Sequence, residues 1–190
     1  NDALTVVLAN NDADLTVNLG TDTADSLTIS AVGALDVNAT EVENYSISGN
    51  GGAVAVDFKA TSAAADFTVT GTQNVTITAE ETVLSGTTLT DSSTGGTTSL
   101  VLAGSAADKS FDLTGVGTLS GTIDVSDDNV DSVTLMGGNN LVVDTNGELA
   151  LVSNDASDGS IDIKLVGTNV LTETGFETIG FTTNDAAATR

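Results

Sequence analysis

Three short stretches concentrate oxygen-bearing side chains in places where the chain should turn. Residues 10–14 (NNDAD) supply Asp12 and Asp14, and residues 127–131 (DDNVD) supply Asp127, Asp128, Asn129 and Asp131. Residues 153–162 (SNDASDGSID) supply Asn154, Asp155, Asp158 and Asp162. Calcium is the ligand that such stretches suit. It takes about six to eight oxygens, and a turn presents backbone carbonyls beside its carboxylates. None of the three matches the spacing D-x-[DN]-x-[DN]-G-x5-E, so composition rather than a motif points to the ion. The competing reading is a solvated acidic surface that keeps the chain soluble by repulsion.

Paired carboxylates also hydrolyse glycosides when they face each other across about 5–9 Å in a cleft. Sugar cleavage further calls for aromatic platforms and for cations that stabilise acidic substrates. This chain has one Tyr, five Phe and no Trp, and its only cations are Lys59, Lys109, Lys164 and Arg190. An enzyme is therefore not expected. Cys and His are both absent, which removes thiol chemistry, soft-metal sites and imidazole acid–base catalysis. A formal net charge of −23 over 190 residues turns away nucleic acid and anionic membrane surfaces, both of which need clustered Lys and Arg. No apolar run is long enough to insert in a membrane. Cations are the natural partners.

The elements that would position these acids are strands. Runs such as LTVNLG (15–20), SLTISAV (26–32), DFTVT (66–70), SLVLAG (99–104) and SIDIKLVG (160–167) alternate apolar and polar residues with period two. Gly, Asn, Asp and Ser separate them, as turns require, and no Pro interrupts the ladder. No helical periodicity is evident. Hydrophobic residues make up 39% of the chain but aromatics only 3%, which predicts a thin core of stacked aliphatic side chains.

Equivalent apolar positions recur at Leu102, Leu113, Val125, Leu135, Val143, Leu151 and Ile163, in short and nearly regular steps. One strand and its turn every roughly 8–12 residues fit an antiparallel β-sandwich or a parallel β-helix. Short uniform strands and interchangeable aliphatics favour an all-β, right-handed parallel β-helix. Three steps would make a rung of roughly thirty residues, hence about six rungs. The chain reads as one solenoid, with the polar interval 92–99 as the weakest point of division. With no initiating Met and no signal-peptide pattern, it also reads as a processed product or a piece of a longer protein.

The vocabulary of Thr, Val, Asp, Gly and Asn resembles that of Gram-negative S-layer proteins and the related RTX-type secreted solenoids. NLGTDTADSLTI (18–29) is similar to an RTX nonapeptide, keeping Gly20, Asp25 and Leu27, and LMGGNNLVVD (135–144) keeps Gly137, Gly138 and Leu141. The resemblance implies secretion to the cell surface, order that depends on calcium, and self-assembly. It adds Asp22 and Asp25 to the candidate calcium ligands. A second reading is an adhesin or carbohydrate-binding module that takes surface polysaccharide as its partner. The pairs Thr68/Thr70 and Thr76/Thr78 resemble ice-binding solenoids, but two pairs do not make a row, and Thr suits the exposed face of any strand.

Overall fold

Alternation of β-branched and polar residues gives each segment one face to bury, and in this chain strands bury it against copies of themselves one rung away. The computed structural model describes residues 1–9, 13–59, 62, 64–104, 109–127, 129–143, 148–153, 160–165, 170–176 and 178–183. It is a parallel β-solenoid. The first half holds β1 (Ala3–Val7), β2 (Ala13–Asn18), β3 (Ser26–Thr40), β4 (Asn44–Phe58), β5 (Asp66–Gly71), β6 (Val75–Glu80), β7 (Leu89–Ser93) and β8 (Thr98–Ala103). The second half holds β9 (Lys109–Leu113), β10 (Ile123–Val125), β11 (Val130–Leu135), β12 (Asn140–Val143), β13 (Glu148–Ser153), β14 (Ser160–Leu165), β15 (Val170–Thr174) and β16 (Thr178–Thr183). A four-residue helix, α1 (Glu81–Leu84), lies between β6 and β7. Every strand pairing is parallel, which overturns the antiparallel sandwich.

The rung is shorter than the sequence spacing suggests. Leu4, Leu27, Tyr45, Phe67 and Leu89 form one column in register on successive strands. Ile123, Leu141 and Ile163 form another. Hydrogen bonds between adjacent rungs measure the repeat, spanning 18 residues from Asp25 to Glu43 and 22 residues from Asp66 to Thr88. Two strands, not three, generally close a rung. In β3 and β4 a single strand does so, because each runs for 15 residues and turns a corner without ending. In β3 the bend falls at Gly33, whose φ of 82° only a glycine adopts cheaply.

The solenoid exchanges one face for another midway. A first face stacks β1, the starts of β3 and β4, β5 and β7, and ends at a single bridge from Leu89 to Val116. A second face runs the whole length, from β2 through the ends of β3 and β4 to β6, β8, β10, β12, β14 and β16. A third face, β9–β11–β13–β15, begins beneath α1. There Gly86 N–H donates to Asp112 O and Asp112 N–H donates to Ser85 Oγ, each at 3.0 Å.

The inward columns form one apolar core, and all seven recurring positions from Leu102 to Ile163 are buried. Aromatic residues are few but not dispersed. Tyr45 and Phe67 stack at 5.0 Å on the first face, and Phe58 from the second face closes on both at 4.7 and 5.2 Å. Burial raises the pKa of the Tyr45 hydroxyl, with help from the charge of Glu43. Its hydrogen bond to Ala39 O explains how a phenol is tolerated there.

Acidic and amide side chains at the corners staple one rung to the next. Thr88, Thr97, Gly104, Leu119 and Ser120 donate their backbone N–H to Asp66, Asn74, Asp127, Asn139 and Asp91 respectively, at 2.7–3.0 Å and across 20 to 29 residues of sequence. These donors sit at corners, outside the β-ladder, and the Leu119 N–H is buried, where an unpaired donor is costly. Asp91 holds more than one donor. It terminates an inward column below Val69 and also accepts Ser120 Oγ–H at 2.6 Å and Ser93 N–H at 3.0 Å. Partial burial works against its charge, but the hydrogen bonds from Ser120 and Ser93 prevail and hold its pKa well below the usual carboxylate value.

A depressed folded pKa adds stability above the unfolded value, and that stability is lost as pH falls. Asp91→Asn should therefore destabilise the chain at pH 7. The gap to the parent should narrow as pH falls below about 4, the unfolded carboxylate value. Melting curves across pH 2–7 check this, and a constant gap would show that the charge of Asp91 contributes nothing.

Candidate functional site

Among the described residues the acidic stretches do not converge on one place. Asp12, Asp128, Asn154, Asp155 and Asp158 lie outside the described residues. Asp14 faces outward on β2 in a column with Asp36 and Asp57. Lys59 binds the last two at 2.9 Å each, and its pKa is raised by the hydrogen bonds to Asp57 and then Asp36. Asp131 sits at the β11 irregularity between Val130 and Ser132. Asp162 is exposed on β14 between Asn140 and Gly180.

Asp127 and Asn129 share a turn in which their polar atoms are committed to the fold. Asp127 accepts Asn129 N–H, Asn129 Nδ2–H and Gly104 N–H at 2.9, 2.8 and 2.7 Å, and Asn129 Nδ2 also reaches Gly104 O at 3.0 Å. Desolvation opposes ionisation of Asp127, while the backbone N–H groups of Asn129 and Gly104 and the Asn129 amide outweigh it and lower the pKa. Three donors make this carboxylate a staple between rungs.

The corner that joins the second face back to the first, at the start of the solenoid, is different. Asp2, Asp25 and Glu43 immediately precede Ala3, Ser26 and Asn44, which are in register, so three consecutive rungs each bring an acid to the same corner. Parallel ladder spacing puts neighbouring rungs about 4.8 Å apart. Gly20, with φ of 97°, turns the chain ahead of Asp22 and Asp25, and Asn18 Oδ1 accepts its N–H at 2.9 Å. Asp25 is fully buried. Its Oδ1 accepts Asp2 N–H at 2.6 Å, and its own N–H donates to Glu43 Oε2 at 2.6 Å. Its Oδ2 is buried with no hydrogen-bond partner.

The backbone nitrogen of Asn1 also reaches this corner. The Asn1 ammonium lies 2.8 Å from Asp22 Oδ2 and 3.8 Å from Asp25 Oδ1. Its pKa is raised first by the hydrogen bond to Asp22, which outweighs desolvation, and further by the charges of Asp25, Asp2 and Glu43. Among the described residues no three acidic side chains meet closely enough to form a ready metal cluster. The corner nevertheless has what a hard cation requires, a buried carboxylate oxygen that accepts no hydrogen bond, whereas both oxygens of Asp127 already accept. Sequence alone singles out Asp22 and Asp25 through the RTX-like phrase, but Glu43 was missed. Its signal lay in the rung length, which sets it over Asp25.

Comparison with protein-family models, curated proteins and solved structures gave no match.

Proposed function

We propose that this chain is a structural, self-assembling segment of an extracellular bacterial surface layer, filament or sheath, stabilised by calcium. One observation carries the reading. Among the described residues, the exposed large apolar side chains are Leu4 and Val7 on β1 and Phe181 on β16, the strands at the two ends of the solenoid. Edge strands with free N–H and C=O groups and exposed apolar side chains pair with further strands. Stacked solenoid turns bury such edges against the next unit. The inward column that ends at Phe181 begins at Ala13, so a large ring at one end faces a small side chain at the other. The third face is closed to the same contact, because Glu173 takes the last inward position below Leu151 and accepts Phe176 N–H at 2.6 Å.

Stacking units of charge −23 requires counterions, and calcium held at the first corner serves both order and assembly. Asp22, Asp25 and Glu43 would hold it, and the ion would supply the positive charge that Asp25 Oδ2 lacks. The adhesin reading draws no support from aromatic residues. Phe176 is buried, and Phe181 is the one exposed ring among the described residues.

Paired melting curves at matched ionic strength, one in calcium and one in chelator, test the metal. A site with a dissociation constant near 10⁻⁴ M should add about 1.4 kcal/mol at about 1 mM calcium. Asp25→Asn should abolish the increment, whereas Asp127→Asn should lower both curves and preserve it. Coincident curves for the parent would remove calcium from the account.

A further inference from the structure

The first face carries an ordered grid of hydroxyls. Thr5, Thr28, Ser46, Thr68 and Thr90 stand in register on five successive strands and form one outward column. Two residues along each strand a second column follows, beginning at the exposed Val7 opposite Ser30, with Ser30 over Ser48 and Thr70 over Ser92. All of these side chains are exposed or half-exposed, and inward neighbours such as Ile29, Ile47 and Val69 are buried. Apart from Ser48, whose Oγ reaches Ile29 O at 3.5 Å, none of these hydroxyls has a side-chain hydrogen-bond partner among the described residues. In a chain with 27 acidic residues neither column contains a charge. Thr76 and Thr78 behave otherwise. They sit on the second face beside Ala55, Asp57, Ser99 and Val101 and extend no row.

We infer that this face binds the surface of ice. Rung spacing sets the hydroxyls in a column about 4.8 Å apart, and the columns lie about 6.7 Å from each other. In a tetrahedral water network with oxygens about 2.8 Å apart, second neighbours are separated by about 4.5 Å. The column repeat therefore matches a repeat of hydrogen-bonded water to within a few tenths of an ångström. The trough between columns accommodates a file of bridging waters, which count almost as direct bonds. The Thr methyl groups cannot hydrogen-bond and favour a water layer that closes its bonds with itself. A polysaccharide surface is the poorer fit, because sugar rings stack on aromatic faces and the rings of Tyr45, Phe58 and Phe67 are all buried.

The inference stands apart from calcium and assembly, and ice-affinity partitioning tests it. Ice is grown slowly from a dilute solution of the chain, and protein is measured in the ice and in the remaining liquid. The parent should be enriched several-fold in the ice over Thr68→Tyr, while Thr78→Tyr on the second face should partition like the parent. Circular dichroism melting establishes that each variant is folded, and Ser46→Lys serves if Thr68→Tyr is not. Exclusion of the parent to the same degree as the face variants would overturn the inference. So would Thr68-dependent binding to microcrystalline cellulose or chitin by a chain that ice excludes, since the face would then belong to a polysaccharide.

Discussion

Leu135→Asp should unfold the chain, while Thr134→Asp, one residue away, should leave it folded. Leu135 is fully buried in the third-face column between Leu113 and Ser153. Truncating such a leucine to Ala alone costs about 2–5 kcal/mol. A carboxylate in its place adds a desolvation penalty of several kcal/mol, with no donor available to offset it. Domains have roughly 5–15 kcal/mol in total, so the folded state is lost. Thr134 points outward, between Asp112 and Val152. Its replacement by Asp brings a like charge opposite Asp112, and cross-strand pairs of that kind change stability by about 1 kcal/mol at most. Far-ultraviolet circular dichroism with thermal melts compares the two. Equal tolerance of Asp at both positions would show that the inward register is wrong.

That register was legible from the order of residues because period-two alternation reports directly which side chains share a face. Leu113, Val125, Leu135 and Ile163 are buried as their spacing demands. The length of a rung was not legible. The short steps between apolar positions count strands, but nothing local says how many strands close a turn. The corner of β3 passes through Ser30-Ala31-Val32-Gly33 without breaking the alternation until Gly33. The small helix α1 was missed for a related reason, since four residues are too few to show helical periodicity.

The acidic turns were found and their partners were not. Asp127 looks like an ion ligand when only residues 127–131 are in view, yet its staple partner Gly104 lies 23 residues earlier. The same blindness hid the hydroxyl grid. Thr68 and Thr70 are visible as a pair, but Thr28, Ser46 and Thr90 join their face only through offsets of a whole rung, which the fold creates. Long-range register, rather than composition, separates a solvated carboxylate from a staple and a scattered threonine from a lattice.

Phe181→Asp should abolish end-to-end association without unfolding the chain. Phe181 is 49% exposed on β16 at the end of the second face, so a carboxylate there loses little packing within its own chain. In a stack it would place a charge where the apolar column continues into the next unit, and an inward charge at an edge is how sheets block pairing. Sedimentation velocity over a range of concentrations, in calcium, reads this directly. The parent should form species whose mean mass grows with concentration beyond the 18.9 kDa of one chain, and Phe181→Asp should remain at that mass. A parent chain that stays a uniform monomer at high concentration with calcium present would contradict the proposal that this solenoid is built to assemble.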